Sequence, residues 1–322
     1  MKTVVHLTSV HPRYDTRIFY KQCIGLSALY KVYLIVADGK GNEEKDQISI
    51  IDVGKPKGRL HRMLKSTRFV YKEAKKIQAD IYQAHDPELI PVLLKLKRKG
   101  YLVIFDSHED VPKQILSKPY LKPKLAKIAS FLVKLYERRS FKRLDALFGV
   151  NRVMINKFSR LNKNSFEIAN YAQLENFDIC LKYCSKKKTP YVCFVGGMSK
   201  IRGIDIVVSS ALYLKHLNIH LKLVGNFSSE AFQEKVRSLN GFSSVDLISF
   251  QDRVSVARIM SNALAGIVTY LSSPNHIEAS PNKMFEYMAA GIPVIASHFP
   301  CWKAIIEDGE CGICVDPMDP RA

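Results

Sequence analysis

The chain has 322 residues, 47% hydrophobic and 25% charged, with 49 Lys+Arg against 30 Asp+Glu for a net charge of +19. That length exceeds one ordinary core and suits two domains of roughly 150 residues each, while the composition excludes a disordered, collagen-like or coiled-coil chain. No apolar run reaches the ~18 residues a membrane-spanning helix needs, His6 breaks the first apolar run before any signal-peptide pattern, and seven scattered cysteines fit reduced thiols in a cytosol.

Short β-branched runs alternate with helix-length segments from the start of the chain. Residues 3–9, 31–37, 48–53, 81–85, 102–107 and 146–150 read as strands, with helices expected at 16–30, 59–78 and 88–99. Such alternation predicts a parallel sheet covered by helices on both faces. The polar, lysine-rich stretch within 169–190 reads as a linker, giving domains over 1–168 and 191–322. The pattern then resumes, with strands at 191–196, 219–225, 245–250, 265–270 and 293–297 and helices near 203–216, 229–240, 253–262 and 281–290. Two doubly wound sheets of this kind are expected to face a central cleft and bind ligands at their strands' carboxyl ends.

The charge is uneven. Residues 1–170 hold 34 Lys+Arg and 16 Asp+Glu, a balance of +18, which leaves +1 for the rest of the chain. Within that half, residues 113–143 carry ten Lys or Arg against one acid, Glu137. Leu121, Leu125, Ile128, Leu132 and Leu135 recur at spacings of three and four, so the segment reads as one amphipathic basic helix. Its apolar stripe either lies on an anionic bilayer or packs on the domain core. No zinc-finger, homeodomain or RNA-recognition signature accompanies the charge, and no nucleic-acid partner is expected.

Two motifs carry chemistry. In FVGGMSKIRGIDIVV, residues 194–208, a strand runs into Gly196-Gly197, a short loop carries Lys200 and Arg202, and Gly203 leads into a helix. Glycines admit an anion close to the backbone and a helix start offers free N–H groups, so this outlines a phosphate cradle, though neither GxGxxG nor a P-loop is spelled. The bland alternative is a tight turn with two exposed cations. In HIEASPNKMFEYMAAGIPVIAS, residues 276–297, Pro281 opens a helix with Met284, Phe285, Met288 and Ala289 as its expected buried face. Glu278 precedes that helix and Glu286 lies inside it; Lys283 sits near an anion at the N-terminus, and a carboxylate such as Glu286 suits the vicinal hydroxyls of a ribose. Cys311 and Cys314 have CxxC spacing but no second pair, and a metal is not expected.

The pairing of GGMSKIRG with the glutamates of EASPNKMFE, followed by YMAAGIPVIAS and EDGECGICVDPMD, resembles the retaining glycosyltransferases of family 4, which have the GT-B fold. The resemblance implies a donor lobe in which Arg202 contacts a diphosphate and Glu278 meets the donor sugar. Pro281, Asn282 and Lys283 would hold phosphate, and Glu286 the ribose. In the N-terminal half VIFDSHED resembles the segment that delivers the family's active-site histidine, making His108 the catalytic candidate beside Glu278 and Arg202. IYQAHDPELIP places His85 and Asp86 on the acceptor side. Gly197 stands where an arginine is usual, with Lys200 as the substitute cation. The usual Gly-Gly pair of the first loop is replaced by HPRYDTRIF, in which Asp15 and Arg17 either recognise acceptor or cap the helix from residue 16.

The implied function is transfer of a sugar, with retention, from a nucleotide diphosphate sugar to a lipid-linked saccharide in bacterial surface polysaccharide synthesis. It would run at the inner face of the cytoplasmic membrane, which the protein would contact through residues 113–143, with no cofactor beyond the donor. A nucleotide-sugar epimerase of the same fold, or a non-catalytic nucleotide-sugar-binding protein, are the alternatives; the latter is pointed to only by the lack of the family's usual final helix before Ala322.

Overall fold

A computed structural model describes residues 1–118, 121–175, 177–178 and 190–322. The chain divides into two compact units, Met1–Asn170 and Tyr171–Ala322. Most of the expected linker 169–190 lies outside the described residues, together with Cys180 and Cys184.

The first unit is built on a sheet of strands β1 (Thr3–Leu7), β2 (Lys31–Val36), β3 (Glu43–Lys45), β4 (Ile48–Asp52), β5 (Ile81–Ala84), β6 (Leu102–Ser107), β7 (Ala146–Gly149) and β8 (Ser165–Glu167), in the order β3-β4-β2-β1-β5-β6-β7-β8. All neighbours run parallel except β3, which hairpins onto β4 through Asp46 and Gln47, both at positive φ. That pair of left-handed residues is the geometry of a two-residue hairpin turn, here without the glycine that would have flagged it in the sequence. Successive residues of β2 feed opposite cores: Val32, Leu34 and Val36 meet Ile18, Phe19 and Cys23, while Ile35 joins Val5, Tyr82 and Phe105 under the helices Thr67–Ile77 and Ile90–Lys97. Strands buried on both faces must be apolar along their whole length, which is why they were legible as continuous runs.

The helix expected from residue 16 begins as a π-helix over Thr16–Cys23 and continues as Ile24–Ser27. Residues 113–143 are not one helix. They contribute to Val111–Leu116 and Pro123–Phe141, each opening on a proline at its first turn. On the longer helix Ala126, Glu137, Ser140 and Phe141 face inward, whereas Leu125 (55% exposed), Ile128 (57%), Phe131 (60%) and Leu132 (59%) face outward. Packing of the leucine stripe on the core is thereby corrected. The inward face is made of small residues and Phe141, with Glu137 paired to Lys157 at 3.1 Å.

The second unit has strands β9 (Tyr191–Val195), β10 (His220–Val224), β11 (Val245–Ile248), β12 (Ala265–Val268), β13 (Val294–Ser297) and β14 (Gly312–Val315), all parallel, in the order β11-β10-β9-β12-β13-β14. Tyr191, Cys193 and Val195 face one core and Val192 and Phe194 the other. The helix Asn282–Ala289 buries Met284 and Tyr287, followed by Ala290, and leaves Phe285, Met288 and Ala289 half-exposed, which corrects the expected face by about one residue. The large residue that anchors it is Tyr287, whose hydroxyl accepts from the Val195 amide at 3.0 Å. Its ring passes over β12 at Gly266, where a Cβ would lie only 2.2 Å from the ring's Cγ.

Candidate functional site

In parallel sheets the strands' carboxyl ends share one edge, and a crevice opens where the strand order reverses. In the first sheet that point lies between β1 and β5, with β6 next to β5. Thr8 and Ser9 leave β1 there, His85 and Asp86 leave β5, and His108 follows β6.

Asp106, fully buried within β6, is the hub. Arg17 grips it through Nε to Oδ2 at 3.0 Å and Nη2 to Oδ1 at 2.6 Å, and spends Nη1 on the Ile168 carbonyl at 2.6 Å. Gln22 donates to Oδ2 at 2.7 Å. His85 Nδ1 lies 3.2 Å from the same oxygen, and His108 Nε2 lies 3.5 Å from it. Burial alone would raise the Asp106 carboxyl, but hydrogen bonds from His108 and His85 and the charge of Arg17 hold it well below the ordinary range. An anionic Asp106 accepts only, so His85 presents Nδ1–H to it and Nε2 remains to accept from His6 Nδ1 at 3.0 Å. Burial, opposed by Asp106, lowers the pKa of His85, and His6 is lowered to about 3, by burial first and the charge of His85 second.

Asp86 has a parallel role. Its Oδ2 accepts from Thr8 Oγ1 at 2.8 Å, the Ser9 amide at 2.6 Å and the Val10 amide at 3.1 Å, and its Oδ1 lies 3.0 Å from His11 Nδ1. Burial opposes ionisation of Asp86, yet His11 and these donors keep it below its usual value. His11 is raised from its ordinary value: burial pulls it down, and the bond and charge of Asp86 overcome that. The His11 ring rests against His108 at 4.8 Å between centroids. His11 and His108 keep 24% and 18% of their side chains exposed, whereas those of Arg17, Asp86 and His85 are at most 5% exposed.

The side chains of Arg17, His85 and Asp86, expected on the acceptor side, are thus buried and engaged within this network, and Asp15 caps its helix by accepting from the Arg17 and Ile18 amides. Sequence reasoning missed His6, His11 and Gln22 and gave Asp106 no role, because their partners lie far away in the chain. His85, Asp106 and His108 place one ligand-type atom each within 4.8 Å of one another. Both Asp106 oxygens are engaged by Arg17, whose charge opposes a cation, so the triad reads as a hydrogen-bond network.

The second sheet reverses between β9 and β12. Gly196, at φ 141°, ends β9, and a Cβ there would lie 3.1 Å from Arg202 Nη1. Arg202 folds back over the glycines, donating to the Gly197 carbonyl at 2.9 Å, with its guanidinium 5.4 Å from the Tyr270 ring. Lys200 opens the 3-10 turn Lys200–Arg202, and Gly203, left-handed at φ 65°, starts the helix Ile204–Leu214. The loop after β12 is joined to this turn by the Leu271 amide, which donates to Ile201 O at 2.9 Å. Tyr270 packs on His276 and Trp302, and Trp302 Nε1 donates to Ala279 O at 2.7 Å, which fixes the loop bearing Glu278. Pro281 is the N-cap residue of Asn282–Ala289, and inside that helix Lys283 and Glu286 pair with each other.

Thus Gly196, Gly197, Lys200 and Arg202 come from one loop, and Glu278, Pro281, Asn282, Lys283 and Glu286 from the next, on adjacent strands. Tyr270, His276 and Trp302 were not anticipated. The aromatic cluster gave no periodic signal, because its members lie on one loop and the helix Pro300–Ile306.

Residues 189–322 match the family described as Glycosyl transferases group 1. A D-inositol 3-phosphate glycosyltransferase of Acidothermus cellulolyticus is 30% identical over 140 residues, 40% of this chain and 30% of that relative's length. Among solved structures, a sucrose-phosphate synthase of Thermosynechococcus elongatus superposes with a TM-score of 0.76 at 16% identity, covering 100% of this chain and 88% of that one. The Anabaena protein Alr3699/HepE, solved in complex with UDP and glucose, gives 0.70 at 13% identity, covering 100% and 87%. These likenesses establish the fold: two parallel-sheet, Rossmann-like domains of the GT-B type.

Proposed function

We propose that this chain is a retaining glycosyltransferase of family 4 that moves a sugar from a nucleotide diphosphate sugar to a lipid-linked saccharide in bacterial surface polysaccharide synthesis. The observation that carries the reading is the second unit's switch point, where a glycine loop bearing Lys200 and Arg202 is bonded to the loop that leads into the Asn282–Ala289 helix. Cations and free helix N–H groups there suit a diphosphate, and Glu286 suits the ribose. Glu278 would meet the donor sugar, and His108 would orient it. The bond from the anomeric carbon to the diphosphate breaks, a bond to the acceptor oxygen forms on the same face, and the acceptor proton passes to the departing phosphate. The charge that develops on the diphosphate is stabilised by Arg202, Lys200 and the start of the helix, so the donor is the only small-molecule requirement of the reading.

The lipid-linked acceptor is supported by the outward apolar face of Pro123–Phe141 with Lys122, Lys124 and Lys127 beside it. Among the described residues no helix is long and apolar enough to cross a membrane, so contact would be peripheral, at the cytoplasmic face. A soluble phosphorylated acceptor is the second reading, favoured by the name of the Acidothermus relative. A thermal-shift panel of nucleoside diphosphates and their sugars, followed by transfer assays with lipid-linked and soluble acceptors, tests the proposal. Stabilisation by a diphosphate and transfer only to the lipid-linked acceptor is expected. Transfer to a sugar phosphate selects the second reading, and donor epimerised without acceptor overturns both.

A further inference from the structure

Residues 53–72 contain seven Lys or Arg and no acid, being bounded by Asp52 and Glu73. The segment leaves the carboxyl end of β4 and forms the helical turns Arg59–His61 and Arg62–Ser66 before Thr67–Ile77. Val70 joins the core and Val53 and Tyr71 pack against it, but the apolar residues of the two turns face outward. Leu60 is 75% exposed, Met63 48% and Leu64 71%, at the spacing that puts them on one side of a helix. Lys55, Lys57, Lys65 and Arg68 are exposed around them, and none pairs with a carboxylate among the described residues. Arg62 is different: its Nε donates to Glu88 Oε1 at 2.7 Å, and Glu88 also accepts from Ser9 Oγ at 3.1 Å. Ser9 in turn donates its amide to Asp86, the carboxylate that holds His11. Arg62 therefore straps this turn to the edge of the sheet where His11 and His108 are partly open to solvent.

We propose that residues 55–68 are a docking surface for an anionic lipid bilayer, in which Leu60, Met63 and Leu64 enter the headgroup boundary while Lys57, Lys65 and Arg68 contact lipid phosphates. The occupant is chosen by charge complementarity: an apolar cluster flanked by cations that pair with no acid among the described residues attracts a negatively charged interface and repels a basic one. The surface is separate in sequence from Pro123–Phe141, and it lies at the histidine edge of the first unit. It rests on the reading that the acceptor is lipid-linked, and would bring the lipid headgroup region to that edge.

Trp302, the sole tryptophan and fully buried in the second unit, allows a direct test. A Leu64→Trp variant, mixed with vesicles of phosphatidylcholine and phosphatidylglycerol, is expected to show a blue-shifted emission that brominated lipid quenches. A Lys57→Glu/Lys65→Glu/Arg68→Glu variant is expected to bind these vesicles at least tenfold more weakly, with an unchanged melting temperature. Leu60→Ser/Leu64→Ser, which keeps every charge, is expected to bind more weakly and to become fully salt-sensitive. Vesicle binding without a shift at Leu64→Trp, but with one at Leu132→Trp, overturns this proposal and leaves the Pro123–Phe141 reading standing. A shift at Leu64→Trp alone does the reverse. Equal binding to neutral vesicles, or association abolished by nuclease, overturns the proposal, and absence of binding by the unaltered protein overturns both membrane readings.

Discussion

Arg17 and Asp106, 89 positions apart in the chain, meet in a buried two-pronged ion pair of 2.6 and 3.0 Å between the first helix and β6. The pair is the foundation for His85 and His108, because the same carboxylate that Arg17 fixes is the one both imidazoles address. Removing Arg17 would leave an uncompensated charge on a fully buried carboxylate.

Arg17→Met is accordingly expected to lower the stability of the first unit by at least about 3 kcal/mol, the cost of orphaning a buried charge, and Arg17→Lys to recover only part of it because an ammonium cannot match the planar fork. Chemical denaturation followed by circular dichroism checks this. Equal stability of all three proteins would remove Asp106 from its role as hub.

Nucleoside diphosphate binding should depend on both loops of the second unit. Arg202→Ala and Glu286→Ala are each expected to weaken it by more than ~1.5 kcal/mol, the lower range for a bond to a charged group, by calorimetry. Because Lys283 pairs with Glu286 in the unliganded helix, Glu286→Ala should also free Lys283. Unaltered affinity in both variants would displace the diphosphate from this edge.

The histidine cluster should impose opposite pH slopes. His6 has its pKa depressed from 6.5 to about 3, so the unfolded chain takes up a proton the fold refuses, and stability falls as pH drops from 6.5 toward 3. The limiting slope for one proton is about 1.36 kcal/mol per pH unit. His11 is raised above 6.5, so its contribution is complete below that value and is lost as pH climbs through its folded pKa. His6→Gln should flatten the acid limb and His11→Gln the limb above 6.5, as read from denaturation at stepped pH.

Gly266→Ala should disrupt the second unit without touching a charged residue. A Cβ at that position would lie 2.2 Å from the Tyr287 ring, so the helix carrying Asn282, Lys283 and Glu286 must shift, at a cost of roughly 1–3 kcal/mol for an overpacked core. A lower melting temperature together with weaker diphosphate binding is expected. Tyr287→Phe should keep the packing and lose the hydroxyl's bonds, the one from the Val195 amide at 3.0 Å and the longer ones to the Cys193 and Ile267 carbonyls.

Most strands and helices, and the two loops of the second unit's candidate site, are legible in the residues themselves. Strands such as Tyr191–Val195, buried on both faces, have to be apolar throughout, and the glycine loop from Gly196 to Gly203 and the run from Glu278 to Glu286 each hold their chemistry within a few residues. Neighbours in the chain remain neighbours in space, so spacing was enough. Tertiary structure alone decided the first unit's site. Its order places β1 between β2 and β5, and only that pairing brings His6 to His85, Thr8 to Asp86 and Arg17 to Asp106, contacts that span 78 to 89 positions. It also decided which way the leucine stripe of Pro123–Phe141 points. Periodicity reveals that a helix has an apolar face, but which face the core takes is settled by what packs beneath, here Ala126, Ser140 and Phe141.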